Sequence, residues 1–195
     1  MITGIWITAA LLYAAFYAWY VGFSRKLTSA EIDEVCKKLT SYPPEQIATM
    51  RKILSEDTGR EFFMVNLIKL RAKNGSLQES REILEKYTKP FLGVMLRRAG
   101  HPIAFARAAA PSVELWGIEN AKDWNFAAFI RYRSRRDLAA VITLPAFQDN
   151  HAFKLQAIEK TFAFPGDPCG VVGGPKLLVP LLLFALAAGL TLLLR

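Results

Sequence analysis

The chain has 195 residues, 52% of them hydrophobic, and a formal net charge of +8. That length leaves room for one domain of ordinary size and excludes a second. Its two cysteines, Cys36 and Cys169, signal neither a disulfide framework nor a metal site. The positive charge favours acidic lipid headgroups, anionic small molecules or acidic protein surfaces as neighbours, with no nucleic acid expected.

The hydrophobic residues are unevenly spread. Residues 1–23 and 177–194 contain no charged side chain, so every charge except that of Arg195 lies between them. As a helix, Ile2 to Phe23 reaches about 33 Å, enough for a hydrocarbon core of about 30 Å. A cleaved signal peptide fits less well, because no basic segment precedes the apolar run and it ends in Trp19, Tyr20 and Phe23 rather than in small residues. Those aromatics suit an interfacial belt, with Arg25 and Lys26 just beyond. Ala10, Ala14, Ala18 and Gly22 recur every fourth residue, either as a ridge on which another helix could pack or because alanine is common in such helices.

Thr28 and Glu31 have capping-box spacing, and Ile32, Val35 and Leu39 follow at helical intervals, which predicts a helix over 29–40. Tyr42-Pro43-Pro44 stops it and opens a second helix carrying Ile47, Met50, Ile53 and Leu54 as far as Gly59. Residues 24–60 read as an arm outside the core. Glu61 to Leu70 is apolar almost throughout, the pattern of a strand buried on both faces. A helix over 80–99 follows, interrupted by Pro90 and stopped at Gly100.

Ile103 to Ala108 and Val113 to Trp116 read as short extended segments, followed by a polar loop over 120–123. Phe126 to Arg133 is a stronger strand. Ser134 and Asp137 cap a helix running to Ile142, and another follows Pro145 with Phe147, His151, Leu155 and Ile158 in register. Thr161 to Phe164 forms the last strand. Residues 166–176 are a glycine and proline linker, hinged at 170–174, to a second apolar segment over 177–194. That segment is interrupted by Pro180 and repeats the small-residue spacing at Ala185 and Gly189. Lacking a polar face, it reads as a short span rather than an interfacial helix.

The element order from 61 to 165 is that of a split βαβ arrangement, an α+β fold with helices on one face of an antiparallel sheet. Residues 62–165 resemble small proteins of unknown function in the dimeric α+β barrel superfamily, whose relatives include antibiotic-biosynthesis monooxygenases. The resemblance lies in the first strand MVNLIKLR with Asn66, in Tyr87, in Gly100 before the second strand, in FIRYRSRRDL, and in Pro145-Ala146-Phe147-Gln148. It implies a ferredoxin-like dimeric α+β barrel domain that pairs with a second copy, here flanked by N- and C-terminal transmembrane helices. The chain departs from the pattern in its apolar ends, in the helical arm, and in His101, where a second glycine is common.

Asn66 is polar between Met64 and Ile68 on one strand face, so if buried it either lines a pocket or fixes a neighbouring backbone group. Tyr87, His101 and His151 are the other weak catalytic candidates, although no carboxylate or third ligand stands at a recognised spacing from either histidine. Arg131, Arg133, Arg135 and Arg136 surround Ser134 at a helix start, where an anion is favoured. They either dock a carboxylate or phosphate or face lipid headgroups or a partner subunit. No phosphate loop, dinucleotide fingerprint or nucleophile elbow appears, and no metal or cofactor is expected.

Arg25, Lys26, Lys37 and Lys38 after the first segment and Lys176 before the second place the domain on the cytoplasmic side of a bacterial-type inner membrane, with both termini outside. The expected function is that of a non-catalytic accessory or assembly subunit, with membrane lipids, other membrane-protein subunits and a second copy of itself as partners. The alternative is a membrane-tethered, cofactor-independent oxygenase or isomerase acting on a lipophilic small molecule.

Overall fold

The computed structural model describes residues 1–40, 42–114, 116–117, 123–170 and 173–194. Its elements run α1 (Ile2–Val21), α2 (Ser29–Lys38), α3 (Pro44–Ser55), β1 (Phe62–Leu70), α4 (Gln78–Arg97), β2 (His101–Arg107), β3 (Phe126–Tyr132), α5 (Arg135–Ile142), α6 (Pro145–Ala157), β4 (Ile158–Gly166) and α7 (Pro175–Leu193). Val113, Glu114 and Trp116 belong to no strand. Leu115, residues 120–122 of the expected loop, Val171 and Val172 of the expected hinge, and Arg195 lie outside the described residues.

The chain divides into two compact units, one of Met1–Phe23 with Pro168–Arg195 and one of Ser24–Asp167. In the first, α1 packs against α7, and both are long and apolar enough to cross a membrane by length and composition. The rings of Trp6 and Phe184 lie 5.4 Å apart, and Ala187 and Thr191 are buried. Ile5, Ala9, Tyr13 and Phe16 are the half-buried stripe of α1, whereas Ala10, Ala14, Ala18, Ala185 and Gly189 remain exposed and Gly22 is half-buried. The contact thus combines bulky side chains such as Tyr13 and Phe16 with small ones, Ala9 and Ala187.

The second unit holds a four-stranded sheet of order β2-β3-β1-β4 with every pairing antiparallel, the ferredoxin-like order. Residues directly opposite one another share a face. Phe62 stands opposite Tyr132 and Met64 opposite Ile130, and these belong to or pack on a core with Leu39, Met95, Leu138 and Ile142. The other face carries Val65 between Phe129 and Phe164, and Leu67 between Ala127 and Phe162. Phe129, Phe162 and Phe164 keep 40%, 56% and 43% of their surface exposed. Burial of β1 on both sides, expected from its composition, holds only in part: Phe62 and Leu70 at its ends are buried, and Phe63 to Lys69 are half-buried on both faces.

Residues 24–60 are part of the core and not an arm beside it. The capping box forms as expected, with Thr28 accepting from Glu31 N and Glu31 accepting from Thr28 N. The stripe Ile32, Cys36 and Leu39 that follows is buried, as is Leu54 of α3, and these residues pack on Ala139, Leu138 and Ile142 of α5. An amphipathic helix this short has little stability of its own and gains it from such packing.

Helix α4 runs unbroken through Pro90. Ala99 takes the left-handed conformation at φ 55°, and the N–H of Gly100 donates to Met95 O at 2.9 Å. Gly100 is needed for close approach rather than for its φ, since a Cβ there would lie 2.5 Å from Met95 Cγ and 3.1 Å from Arg131 O. In α6 the expected register fails at Leu155, which is 64% exposed, because the helix hands over to β4 at Ile158 and Lys154 and Ala157 continue the inner stripe.

Candidate functional site

Tyr87 and His151 are brought together by the packing of α4 on α6. The His151 ring lies 6.3 Å from that of Tyr87, 6.1 Å from Phe147 and 4.9 Å from Tyr42, which reaches in from the turn between α2 and α3. Tyr87 stacks on Phe91 at 5.6 Å, and the ammonium of Lys154 stands 5.9 Å from the centre of the Tyr87 ring. Tyr42 and Lys154 were not among the sequence candidates. The signal for Lys154 was its position three residues after His151 and seven after Phe147, on the same helical stripe.

Burial sets the charge states of this cluster. It lowers the His151 pKa to about 4, with the nearby Lys154 charge adding to the effect, so the ring is neutral at neutral pH. Burial also lowers that of Lys154, raises that of Tyr42 to about 12, and raises that of Tyr87, where Tyr42 contributes as well. His151 Nδ1 is buried with no hydrogen-bond partner. The adjoining cavity, lined by Tyr87, Phe91, Val141, Leu144, Phe147 and Asn150, measures only ≈ 10 Å³, space for about one water. Tyr87 and His151 have the groups for proton transfer, and the cavity beside Tyr87 has room for about one water.

The remaining candidates lie elsewhere. Asn66 is half-buried on the helix side of β1, opposite Ala128 and Ala163, and its amide donates to Met64 O at 3.0 Å. His101 opens β2 opposite Arg131, with Nδ1 2.9 Å from Pro102 O. Among the described residues, no three of His, Cys, Asp and Glu gather as a metal site. Cys36 is buried and Cys169 exposed, and among the described residues neither forms a disulfide.

The arginines around Ser134 do not form an open anion site, because the helix start is already occupied by a carboxylate of the chain. Asp137 accepts from Ser134 Oγ at 2.8 Å and from Arg133 at 2.9 Å, and forms a longer contact with Arg98 at 3.4 Å. Burial pushes its pKa up, but the bonds from Arg133 and Ser134 outweigh this and hold it below the ordinary carboxylate value. Arg131 Nε donates to Glu61 and Nη1 to Ala99 O, each at 2.6 Å. Arg136 makes a two-pronged pair with Glu31 at 2.8 and 2.9 Å. That pair crosses the rim of an open groove of ≈ 380 Å³ between α2 and α5, floored by Leu27, Val35, Ala139 and Ala140. Arg135 is the exception: its contact to Asp167 is long, at 3.5 Å, and among the described residues its Nε and Nη1 have no hydrogen-bond partner.

This geometry is shared with known structures at the level of the fold. A crystal structure of a protein of unknown function from Rhodopseudomonas palustris has TM-score 0.54 and 19% identity over 67% of this chain and 96% of that one. Its methylated form gives 0.51 and 16% over 68% and 96%. A dabb family protein with a ferredoxin-like fold from Mesorhizobium loti gives 0.41 and 15% over 56% and 98%. No family model matches the chain, and no curated protein matches it. The class so defined is a ferredoxin-like α+β domain, joined in this chain to two long apolar helices.

Proposed function

We propose that this chain is a membrane-anchored accessory or assembly subunit without catalytic activity of its own. Its two apolar helices hold the domain at the cytoplasmic face of an inner membrane, pack on helices of partner subunits, and leave the open sheet face to pair with a second copy. The observation that carries the reading is the row of Phe129, Val65 and Phe164, with Leu67 and Phe162 beside it, across three strands of that face. Contiguous exposed apolar surface of this kind marks an interaction site.

The rival, a tethered enzyme for a lipophilic molecule, is favoured by the adjacency of Tyr87 and His151 and by the unpartnered His151 Nδ1. Purification from native membranes in mild detergent separates the two. An accessory subunit is recovered with stoichiometric partner subunits, and recovery only as a lone homodimer would sink that reading. Loss of a cellular phenotype on substituting His151 by Phe, with assembly intact, would move the case to the rival.

A further inference from the structure

Two arginines of the domain are almost wholly buried, and they are treated very differently. Arg131, 2% exposed, donates from Nε to Glu61 and from Nη1 to the Ala99 carbonyl. Arg135, 5% exposed, has no hydrogen-bond partner at Nε or Nη1 among the described residues. Its guanidinium lies over the Phe62 ring at 5.4 Å, and its one ion pair is a 3.5 Å contact from Nη2 to Asp167, whose side chain is 65% exposed. A buried lysine can shed its proton, whereas a guanidinium keeps its charge in a protein and continues to require an acceptor. Leaving such a charge unmatched is among the costlier arrangements a fold can hold.

The surroundings indicate which anion could meet this demand. Arg136, the next residue of α5, donates to Arg25 O at 3.2 Å and Lys26 O at 3.1 Å, in the segment that follows α1. Asp167 is the last residue of the domain before the chain turns toward α7. The first turn of α5 is therefore where both connections to the apolar helices come together. If those helices span, as proposed above, the anions found at this end of the domain are lipid phosphates.

We infer that Arg135 is a receptor for the phosphate of an anionic phospholipid, with Asp167 as the carboxylate that holds its place and is displaced on binding. The inference rests on the membrane-anchored reading and narrows it to one residue. Nε and Nη1 are closed off from solvent where the guanidinium lies over Phe62, so binding turns the side chain outward as Asp167 leaves, to where phosphate supplies the several acceptor oxygens that a single carboxylate at 3.5 Å does not.

The test uses the full chain, delipidated in detergent and returned to nanodiscs of phosphatidylcholine with or without phosphatidylglycerol, with retained lipid read by native mass spectrometry. Wild type should retain phosphatidylglycerol over phosphatidylcholine by about tenfold or more, the yield of a charge-assisted hydrogen bond. Arg135→Gln should lose that preference, Arg97→Gln at an exposed position should keep it, and Asp167→Asn should raise it by removing the competitor. Should Arg135→Gln fail to fold, Asp167→Asn decides alone. Equal retention of the two lipids, or no gain in Asp167→Asn, overturns the inference. So does equal stabilisation by millimolar inorganic phosphate without lipid, which would make this a free-anion site. Release of the chain from membranes by alkaline carbonate would defeat the anchoring itself, whereas resistance to carbonate with no lipid preference defeats only Arg135.

Discussion

On the helix side of β1, Phe62 and Leu70 are closed off from solvent, whereas on the other side Val65 and Leu67 lie among Phe129, Phe162 and Phe164, which stay in contact with it. Both faces are built from the same residue types. What separates them is cover: within this unit, α3, α4, α5 and the end of α2 bring Leu54, Met95, Leu138 and Leu39 over or near one face, whereas among the described residues of the unit Phe129, Phe162 and Phe164 on the other stay exposed. If the open face pairs with a second copy, as proposed, substitutions on the two sides should fail in different ways.

The largest effect is expected at Phe62, which is fully buried and stacked on Tyr132 at 5.2 Å. Phe62→Ala should cost about 4 kcal/mol of unfolding free energy, read from denaturant titration of the full chain in micelles. Next comes Leu54→Ala, at about 3 kcal/mol, because α3 belongs to the covered side. A loss below about 0.5 kcal/mol, the range of ordinary surface changes, would restore residues 24–60 to the status of an arm.

Much of this was legible beforehand, for identifiable reasons. The capping residues Thr28 and Ser134 act locally and form as read, and the strand and helix order from Phe62 onward follows from periodicity, except that Val113, Glu114 and Trp116 join no strand. The arm was misjudged because an amphipathic stripe shows that a helix packs but not what it packs on, and Ala139 of α5 is 107 positions from Ile32. The arginine cluster was misread for a related reason. Its carboxylate partners include Glu31 and Glu61, remote in sequence, and only Asp137 lay within view at helical spacing. Among the site candidates, the proximity of Tyr87 and His151 could not be read from either helix alone, since it depends on how α4 crosses α6.

His151 offers a milder probe of the covered side. Its folded pKa of about 4 lies below the ordinary 6.5, so the unfolded chain takes up the proton first and stability falls as pH drops from about 6.5 to about 4. The loss should reach about 1 to 2 kcal/mol once partial solvent contact is allowed for. His151→Phe should flatten stability across that window. The loss at still lower pH should remain, because it belongs to carboxylates held below their ordinary values, Asp137 by Arg133 and Ser134 and Glu31 by Arg136 among them, whose contributions last until they are protonated. Unfolding titrations at closely spaced pH values read both, and an unchanged slope in His151→Phe would mean the ring is solvated.

The smallest effect on the fold, and the most informative for the comparison, belongs to the open face. Phe164→Asp replaces an exposed ring with a charge that water can solvate where it stands, so the unfolding free energy of the isolated protomer should move by no more than about 0.5 kcal/mol. Self-association should respond in the opposite way. Burying that carboxylate against a second sheet without a partner costs several kcal/mol, enough to lower the association constant by about a hundredfold or more. Light scattering on detergent-solubilised chain, at protein concentrations spanning the wild-type transition, distinguishes the outcomes. A dimer that tolerates Phe164→Asp must be held elsewhere, by α1 and α7 or by a partner subunit, and the open face would then await a different cover.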